Sequence, residues 1–404
     1  MDPQQHALTY ARLNLHSDSR WTQDVTLTAS WQQSLEGRNA RRNGSAIQTR
    51  EEDKINTLGF SADVFSRLND YWTANSGIEL YHDKVNSAKH DFDTATGVAG
   101  PAVRGLYPDD SRYGNYSLYT LSHFNFNQWV IDAGLRFNTF DIRIKDVTLG
   151  DVKITPSALV ANAAVMYKIL DNQSLYLSYS SGYRAPNVDD MGTLGIVDFR
   201  YEVPASNLKP EQSQNIEAGY KLQTGRVSLA LAAYHMDLSN IITRVATGDQ
   251  IDGYTVYRKE NSQSSYIRGF EAEFSLAATE NLNFSGGVAH AYGQNTSADE
   301  PMRRIPPFNG RLMSEYRTDK WFAAAEFRFA SSQTRLAQGD IDDNRIGPNG
   351  TAAWQVVNLY AGYRFSQLHI NASLQNIFDE DYRMHGSGIN GVGASAWIEA
   401  SMEF

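Results

Sequence analysis

Three aspartates, Asp340, Asp342 and Asp343, lie close enough together in the sequence to offer oxygen ligands to a divalent cation. The spacing of Asp340, Asp342 and Asn344 resembles the start of an EF-hand calcium loop, in which the sixth position is Gly and the twelfth is Glu. Here those positions hold Arg345 and Thr351. The sequence therefore does not predict an EF-hand, and the aspartates are kept only as weak candidates for a loosely bound cation.

Other patterns that could carry chemistry also lack the necessary context. Residues 386–391 match the letters of a dinucleotide-binding fingerprint, but no strand–turn–helix unit surrounds them. The chain has no cysteine, which excludes disulfides, thiolate metal sites and cysteine nucleophiles. Neither a phosphate-binding loop nor a Gly-x-Ser-x-Gly elbow occurs. We therefore expect no catalytic site, no bound cofactor and no enzymatic activity.

The charge balance and the apolar runs exclude two further classes of protein. Lys and Arg number 36 and Asp and Glu number 46, for a formal charge of −10. A general nucleic-acid binder would carry a basic excess, so no nucleic-acid partner is expected. No apolar run reaches the roughly 18 residues of a transmembrane helix, and the first residues lack the features of a signal peptide.

The elements that must position any site are indicated by alternating apolar and polar residues, the pattern of half-buried strands. If the strands cross a bilayer, one set of side chains should face lipid: Phe270, Phe274, Phe327, Phe329, Ile398 and Met402. The alternate set should face a lumen: Glu271, Glu273, Glu326, Arg328 and Glu399. The segments are longer than most soluble strands and fit the roughly 9–11 residues that span a membrane.

Seventeen such strands are predicted, joined by short and long connections in strict alternation. The strands lie near residues 6–17, 21–35, 54–67, 72–84, 114–126, 129–143, 155–168, 173–183, 213–223, 226–240, 264–277, 281–292, 308–318, 321–332, 354–364, 367–377 and 394–404. The long connections lie near residues 36–53, 85–113, 144–154, 184–212, 241–263, 293–307, 333–353 and 378–393. Short turns at one end and long loops at the other are typical of transmembrane barrels. The fold class predicted is an all-β transmembrane antiparallel barrel.

Three segments then suggest a family. The first is Tyr183-Arg184-Ala185-Pro186 at the end of a strand, and the second is Asn207-Leu208-Lys209-Pro210-Glu211 before the next strand. The third is Asn376-Ile377-Phe378, followed by a loop and a final strand that ends on Phe404. In their order and spacing these segments resemble the TonB-dependent outer-membrane receptors. The resemblance covers most of the chain.

The resemblance implies a 22-stranded barrel with an N-terminal plug, located in the bacterial outer membrane. On this interpretation residues 1–404 are the C-terminal part of the barrel domain, about 17 of the 22 strands, and the plug and first strands are missing. Seventeen antiparallel strands cannot close into a barrel, because an odd number leaves an open edge. The chain alone is therefore not expected to form a functional barrel without its missing strands. The implied partners are outer-membrane lipid, a small-molecule ligand and a TonB-type energy-transducing protein that engages the missing N-terminal part.

The implied function is energy-coupled uptake of a scarce large solute such as a ferric siderophore. The motif residues from Tyr183 to Pro186 and from Asn207 to Glu211 are interpreted first as architecture at the ends of strands. The candidate substrate loop lies between them and offers polar and aromatic contacts: Asp189, Asp190, Phe199, Arg200, Tyr201 and Glu202.

Several alternatives to a siderophore receptor remain open. No histidine lies between Asn187 and Ser206, which favours a siderophore or cobalamin over haem, although His90 and His385 in other loops keep haem as an option. A passive porin-like channel is the alternative outside the family, but it would lack the Arg-Ala-Pro and Leu-Lys-Pro-Glu segments. A barrel protease or phospholipase would be smaller and would need a catalytic cluster, which the sequence does not show.

Overall fold

The computed structural model describes residues 3–146, 150–197 and 200–402, and their regular secondary structure is almost entirely β-strand. The strands are β1 (Gln4–His16), β2 (Asp24–Arg41), β3 (Ile47–Asn69), β4 (Trp72–Asp93), β5 (Ser111–Phe126), β6 (Trp129–Asp146), β7 (Gly150–Ile154), β8 (Ser157–Leu170), β9 (Gln173–Arg184), β10 (Gly195–Val197), β11 (Arg200–Val203), β12 (Glu211–Gln223), β13 (Val227–Ile251), β14 (Tyr254–Ala277), β15 (Leu282–Asn295), β16 (Glu300–Pro301), β17 (Asn309–Arg317), β18 (Trp321–Ala330), β19 (Trp354–Phe365), β20 (Leu368–Gln375) and β21 (Ser395–Met402). The two helices are α1 (Val188–Gly192) and α2 (Gln338–Ile341). In the described part of the chain, no helix has the length and apolar character needed to cross a membrane.

All 21 strands belong to one hydrogen-bonded sheet. Four of them, β7, β10, β11 and β16, have only two to five residues and lie within connections. The other seventeen lie where alternation in the sequence predicts strands, so that prediction is confirmed. Antiparallel pairing joins neighbours in chain order from β1 to β6 and, apart from β16, from β14 to β21.

The residues form two compact units. Unit 1 comprises Met1–Ala163, Ser180–Gln214 and Leu238–Gln263, and unit 2 comprises Ala164–Tyr179, Asn215–Asp237 and Ser264–Phe404. Unit 1 contains the antiparallel strands β1 to β6 and the connection between β9 and β12. Unit 2 contains the antiparallel strands from β15 to β21 with the connections between them.

The connection between β9 and β12 is packed on a hydrophobic core in unit 1. Three alternate residues of β6, Phe140, Ile142 and Ile144, present an apolar row near the end of that strand. The connection covers this row with four apolar side chains: Ala185, Met191, Ala205 and Leu208. Ile142 and Met191 are fully buried. Because burial of apolar area stabilises packing, this long connection is a folded element.

Several strands extend well beyond their predicted ends, so parts of the predicted long loops are corrected to strand. The expected loop at 36–53 is largely the hairpin of β2 and β3, and the expected loop at 241–263 is largely the hairpin of β13 and β14. At the tip of the second hairpin Asp252 has φ 52° and Gly253 has φ 81°. Positive φ at both central residues is the signature of a type I′ turn, for which Asp-Gly is a favoured pair. The extension of β2 and β3 is polar on both faces, and that of β13 and β14 mixes apolar and polar residues without strict alternation, which is why alternation did not reveal them.

The strand register in unit 2 places the two predicted sets of side chains on opposite faces, and which face meets lipid stays a prediction. The ring of Phe308 lies 6.4 Å from that of Phe270 and 5.7 Å from that of Phe329, so aromatic side chains of several strands share one face. On the opposite face, Glu271 and Arg328 line a cavity of about 480 Å³. Phe270 pairs with His290 and Glu271 with Ala289, so the register keeps the two faces distinct.

Candidate functional site

The predicted substrate loop begins with a short helix that is capped at its first turn. The backbone N–H of Asp190 donates to Asn187 Oδ1 at 2.8 Å, and the backbone N–H of Asn187 donates to Asp190 Oδ2 at 3.1 Å. This reciprocal arrangement is a capping box, which satisfies two otherwise unpaired donors at the start of α1. The local sequence therefore holds α1 in place directly after Pro186, which is itself buried.

Arg184 joins the first sequence motif to the second. Its Nε donates to Glu211 Oε2 at 2.5 Å, and its Nη1 donates to Asp190 Oδ2 at 2.6 Å. The other carboxylate oxygen of Glu211 accepts the backbone N–H of Ile242 at 2.7 Å. The guanidinium and the carboxylate are thus engaged with each other and with the loop, so both residues have an architectural role in this structure.

A buried lysine from the neighbouring hairpin holds the acidic residues of the loop. Lys259 of β14 donates from Nζ to Asp189 Oδ2 at 2.7 Å and to the Asp189 carbonyl oxygen at 3.0 Å. The same nitrogen lies 3.7 Å from Glu202 Oε2 and 4.0 Å from Asp190 Oδ1. The side chain of Lys259 is only 8% exposed and that of Glu202 only 2%. Arg244 of β13 gives Glu202 a second cationic partner.

The ion pair with Lys259 sets the protonation of the Asp189 carboxylate. Burial by itself would raise the pKa of the Asp189 carboxyl, but the hydrogen bond and the charge of Lys259 outweigh it, so the pKa lies below its ordinary value. Asp189 therefore remains charged at neutral pH and keeps Lys259 paired. We call the five residues Asp189, Asp190, Glu202, Arg244 and Lys259 the Lys259 network.

The backbone of the loop is also joined to the hairpin. Strand β11 pairs in parallel with β14, with Tyr201 opposite Val256 and Glu202 opposite Tyr257. The guanidinium carbon of Arg200 lies 5.3 Å from the centre of the Tyr257 ring, a cation–π distance. The loop is consequently docked on β13 and β14 by side chains and by backbone together.

Most of the predicted site residues lie in this loop or at its two ends, and most of their contacts hold the loop against the rest of unit 1. Ala185, Pro186 and Leu208 are buried, the Tyr183 ring lies 5.7 Å from Phe140, and Asn207 is exposed. The Lys209 backbone N–H donates to Asn261 Oδ1 at 2.6 Å, next to the partly buried Pro210. Phe199 lies outside the described residues. Ligand contacts by these residues stay a prediction.

Two of the three aspartates considered for a cation, Asp340 and Asp343, are bound by arginines. Asp343 Oδ2 accepts hydrogen bonds from the guanidinium groups of Arg303 at 2.9 Å, Arg304 at 2.5 Å and Arg345 at 2.8 Å. Asp340 is fully buried and accepts the Arg304 backbone N–H at 3.1 Å. We call Asp340, Asp343 and these arginines the Asp343 cluster.

The hydrogen bonds and positive charge of Arg345 and Arg304 hold the pKa of Asp343 far below its ordinary value. Asp342 instead accepts a hydrogen bond from the Gln338 amide. Among the residues in the described ranges, no group of three His, Cys, Asp or Glu side chains is placed to hold a metal ion. The Arg345 guanidinium donates to both carboxylate oxygens of Asp343, which disfavours a cation there, and cation binding by this segment stays a prediction.

Sequence reasoning missed the residues that hold the loop in place. Lys259 and Arg244 fall in what the sequence predicts to be an unstructured connection at 241–263. The Asp252-Gly253 turn signal was present there and would have placed both on a hairpin. Which carboxylates they meet is a long-range matter, since Lys259 and Asp189 are 70 residues apart.

Comparisons with known proteins identify the family. A family model described as "TonB dependent receptor-like, beta-barrel" matches residues 2–377. The metal-pseudopaline receptor CntO of Pseudomonas aeruginosa is 25% identical over 275 residues, which cover 64% of this chain and 36% of that protein. The solved structure of the copper transporter OprC superimposes with a TM-score of 0.81 at 18% identity, over 99% of this chain and 65% of that one. The Serratia marcescens hemophore receptor HasR, a double mutant in complex with HasA and haem, gives 0.74 at 17% identity, again over 99% and 65%.

The chain belongs to the family of TonB-dependent receptor β-barrels, whose members are transport receptors of the bacterial outer membrane. The prediction of an antiparallel outer-membrane receptor fold is confirmed. The chain spans 36% of the length of the curated relative and 65% of each of the two solved chains.

Proposed function

We propose that the complete receptor takes up a metal chelate of the siderophore type, in a step that depends on a TonB-type partner in the inner membrane. The observation that carries the proposal is the family match over residues 2–377. The curated relative is a receptor for a metal–pseudopaline complex, which supports a chelated metal as the cargo. We propose no covalent chemistry, so the protein is a transporter and not an enzyme.

The state of His385 supports a chelate over haem. A haem ligand needs an accessible imidazole nitrogen. His385 Nδ1 lies 2.9 Å from Thr351 Oγ1, and its Nε2 is buried without a hydrogen-bond partner among the described residues. Burial, assisted by the positive charge of Arg304, lowers the pKa of His385, although Asp340 opposes the shift. The imidazole is thus neutral but enclosed. His90 Nδ1 lies 3.4 Å from the carbonyl oxygen of Gly100.

The test is uptake by cells that carry the complete receptor as their only route for the chelate. Accumulation of ⁵⁵Fe-labelled and ⁶³Ni-labelled chelates is measured with and without the inner-membrane TonB protein. We expect accumulation above that of receptor-free cells, and loss of that excess when TonB is deleted. Uptake that persists without TonB would favour the passive channel and contradict the proposal.

Haem is tested separately with the purified complete receptor. Titration with haem should give no saturable change in the Soret band. Tight haem binding that is lost in His385→Ala or in His90→Ala would replace the chelate with haem as the cargo.

A further inference from the structure

A cavity of about 800 Å³ lies in unit 1 between one face of the first strands and helix α1. Side chains of β2, β3 and β4 form its floor, since Glu36 pairs with Asp53 and Asp53 with Ser87 in the sheet register. Tyr107 from the connection after β4 and Asp189 of α1 line it from above. Its volume falls in the range of sites for small organic ligands and is far larger than a single ion requires.

The lining of the cavity is strongly acidic. Four carboxylates line it, those of Glu36, Asp53, Asp83 and Asp189, of which Asp189 is paired with Lys259 at 2.7 Å, and Arg38 supplies the one guanidinium among the described lining residues. Burial, together with the negative charges of Asp189 and Asp53, raises the pKa of Tyr107, although the hydrogen bond and charge of Arg38 oppose the shift. The field inside the cavity is therefore negative, which favours a positively charged guest.

Asp53 is the residue with the greatest unused capacity to bind such a guest. It is 7% exposed, and neither of its carboxylate oxygens accepts a hydrogen bond from the described residues. The nearest cation, Arg38 Nη2, lies 3.4 Å from Asp53 Oδ2. The facing Ser87 hydroxyl is likewise buried without a partner in the described ranges. A carboxylate has about four acceptor positions, so even a bond from Ser87 would leave most of them open.

Aromatic rings complete the environment that a cation prefers. Tyr107 and Tyr113 both line the cavity, and the Arg38 guanidinium carbon already lies 5.6 Å from the centre of the Tyr107 ring. Ring faces attract ammonium and guanidinium groups, and this attraction grows when the group is desolvated. Buried carboxylates normally have hydrogen-bond donors, so the carboxylate of Asp53 is suited to accept hydrogen bonds from a cationic guest.

We infer that this cavity is a subsite for an ammonium or guanidinium group of an organic ligand, with Asp53 as its recognition residue. A bare metal ion fits less well, because no three suitable ligands converge among the described residues. The inference deepens the proposed function and rests on it for one consequence only, that the transported chelate carries a cationic nitrogen group. The binding chemistry itself is independent of the cargo.

The experiment is calorimetric titration of the purified complete receptor with spermidine, an organic polyamine cation. We expect saturable binding that weakens with added salt. Asp53→Asn, which keeps the shape and removes the charge, should weaken binding about thirtyfold or more, as loss of a buried charge partner does. The matched control is Asp249→Asn, an exposed acid in unit 1 outside the cavity, which should leave the affinity unchanged.

If Asp53→Asn does not fold, as judged by heat-modifiable migration in a gel, Glu36→Gln takes its place and should weaken spermidine in the same direction. No binding by the complete receptor, or equal affinities in the wild type, the control and the cavity variants, would overturn the inference. A receptor that accumulates labelled chelate but ignores spermidine refutes the subsite alone. A receptor that binds spermidine but accumulates no chelate refutes the proposed function alone.

Discussion

The Lys259 network and the Asp343 cluster are both built from ion pairs that hold long connections, but they distribute charge in opposite ways. In the Lys259 network, the buried ammonium of Lys259 lies 2.7 Å from Asp189, 3.7 Å from Glu202 and 4.0 Å from Asp190. In the second, three guanidinium groups converge on one carboxylate, and their side chains are 38–48% exposed. In unit 1 several carboxylates share one ammonium group, whereas in unit 2 several guanidinium groups share one carboxylate.

This difference determines how much each cluster depends on its central residue. A buried charge that loses its partner cannot recover solvation, and breaking such a pair costs several kcal/mol. Exposed guanidinium groups that lose their carboxylate turn toward water, where a surface ion pair contributes little. The comparison teaches that the number of hydrogen bonds at a residue is a poorer guide to its importance than the burial of the charges that remain when it is removed.

The largest effect is expected for Lys259→Met in the complete receptor. The substitution leaves the buried Glu202 and the loop aspartates short of a cation, so the free energy of local opening of residues 185–210 should fall by about 3 kcal/mol or more. Hydrogen–deuterium exchange at the Ala205 amide, which donates to the Met191 carbonyl oxygen at 2.9 Å, measures this opening.

The neighbouring Arg258 supplies the control. It is 51% exposed and pairs with Glu260 two residues away. Arg258→Met should change the opening free energy by no more than about 0.5 kcal/mol. Equal effects of the two substitutions would mean that burial of the charge does not determine the loss of stability, which would contradict the contrast between buried and exposed ion pairs.

A smaller effect is expected for Asp343→Asn. The arginines lose a shared anion but stay partly solvated, so the opening free energy of residues 338–347 should fall by about 1–3 kcal/mol. Exchange at the Ile346 amide, which donates to the Asp343 carbonyl oxygen at 2.9 Å, is the readout. Asp342→Asn is the matched control, since Asp342 is exposed. A loss larger than that of Lys259→Met would contradict the ranking.

The smallest effect concerns pH at His385, next to the Asp343 cluster. Burial lowers the pKa of this imidazole in the folded protein below its ordinary value of 6.5. Above pH 6.5 the ring is neutral whether the loop is folded or open. As pH falls below 6.5 the open form takes up a proton first, so folding of this loop is progressively disfavoured until the folded pKa is reached.

Protection of the Gly391 amide, which donates to the Tyr382 carbonyl oxygen, should therefore fall, by at most about tenfold, between pH 7.5 and 5.5 after correction for intrinsic exchange. His385→Asn should abolish that dependence. An unchanged pH response in the variant would show that another group is responsible.

Much of the fold could be predicted because alternation is a local property of each strand. Phe270 and Glu271 differ in polarity and are neighbours in the chain, and that is enough to place them on opposite faces of β14. The ends of strands were less predictable. Where β2 and β3 run on past their apolar stretch, both faces are polar, so no contrast in the sequence marks the continuation.

The candidate site could be predicted only in outline. The motif around Arg184 and the one ending at Glu211 were recognisable as segments, but their direct contact joins residues 27 positions apart. Lys259 was missed altogether, since nothing near it in the sequence shows that it is buried. The cavity around Asp53 was equally invisible, because its acidic residues come from separate strands and from α1.

The sequence by itself determined the class of fold and the family, through strand periodicity, alternating connection lengths and three short motifs. These are one-dimensional signals, because each depends on residues a few positions apart. Only the tertiary structure decided which charges are buried together. The low-dielectric surroundings that make Lys259 and Asp53 important arise when distant segments exclude water from them, and exclusion of water is a property of the packed chain and not of any segment alone.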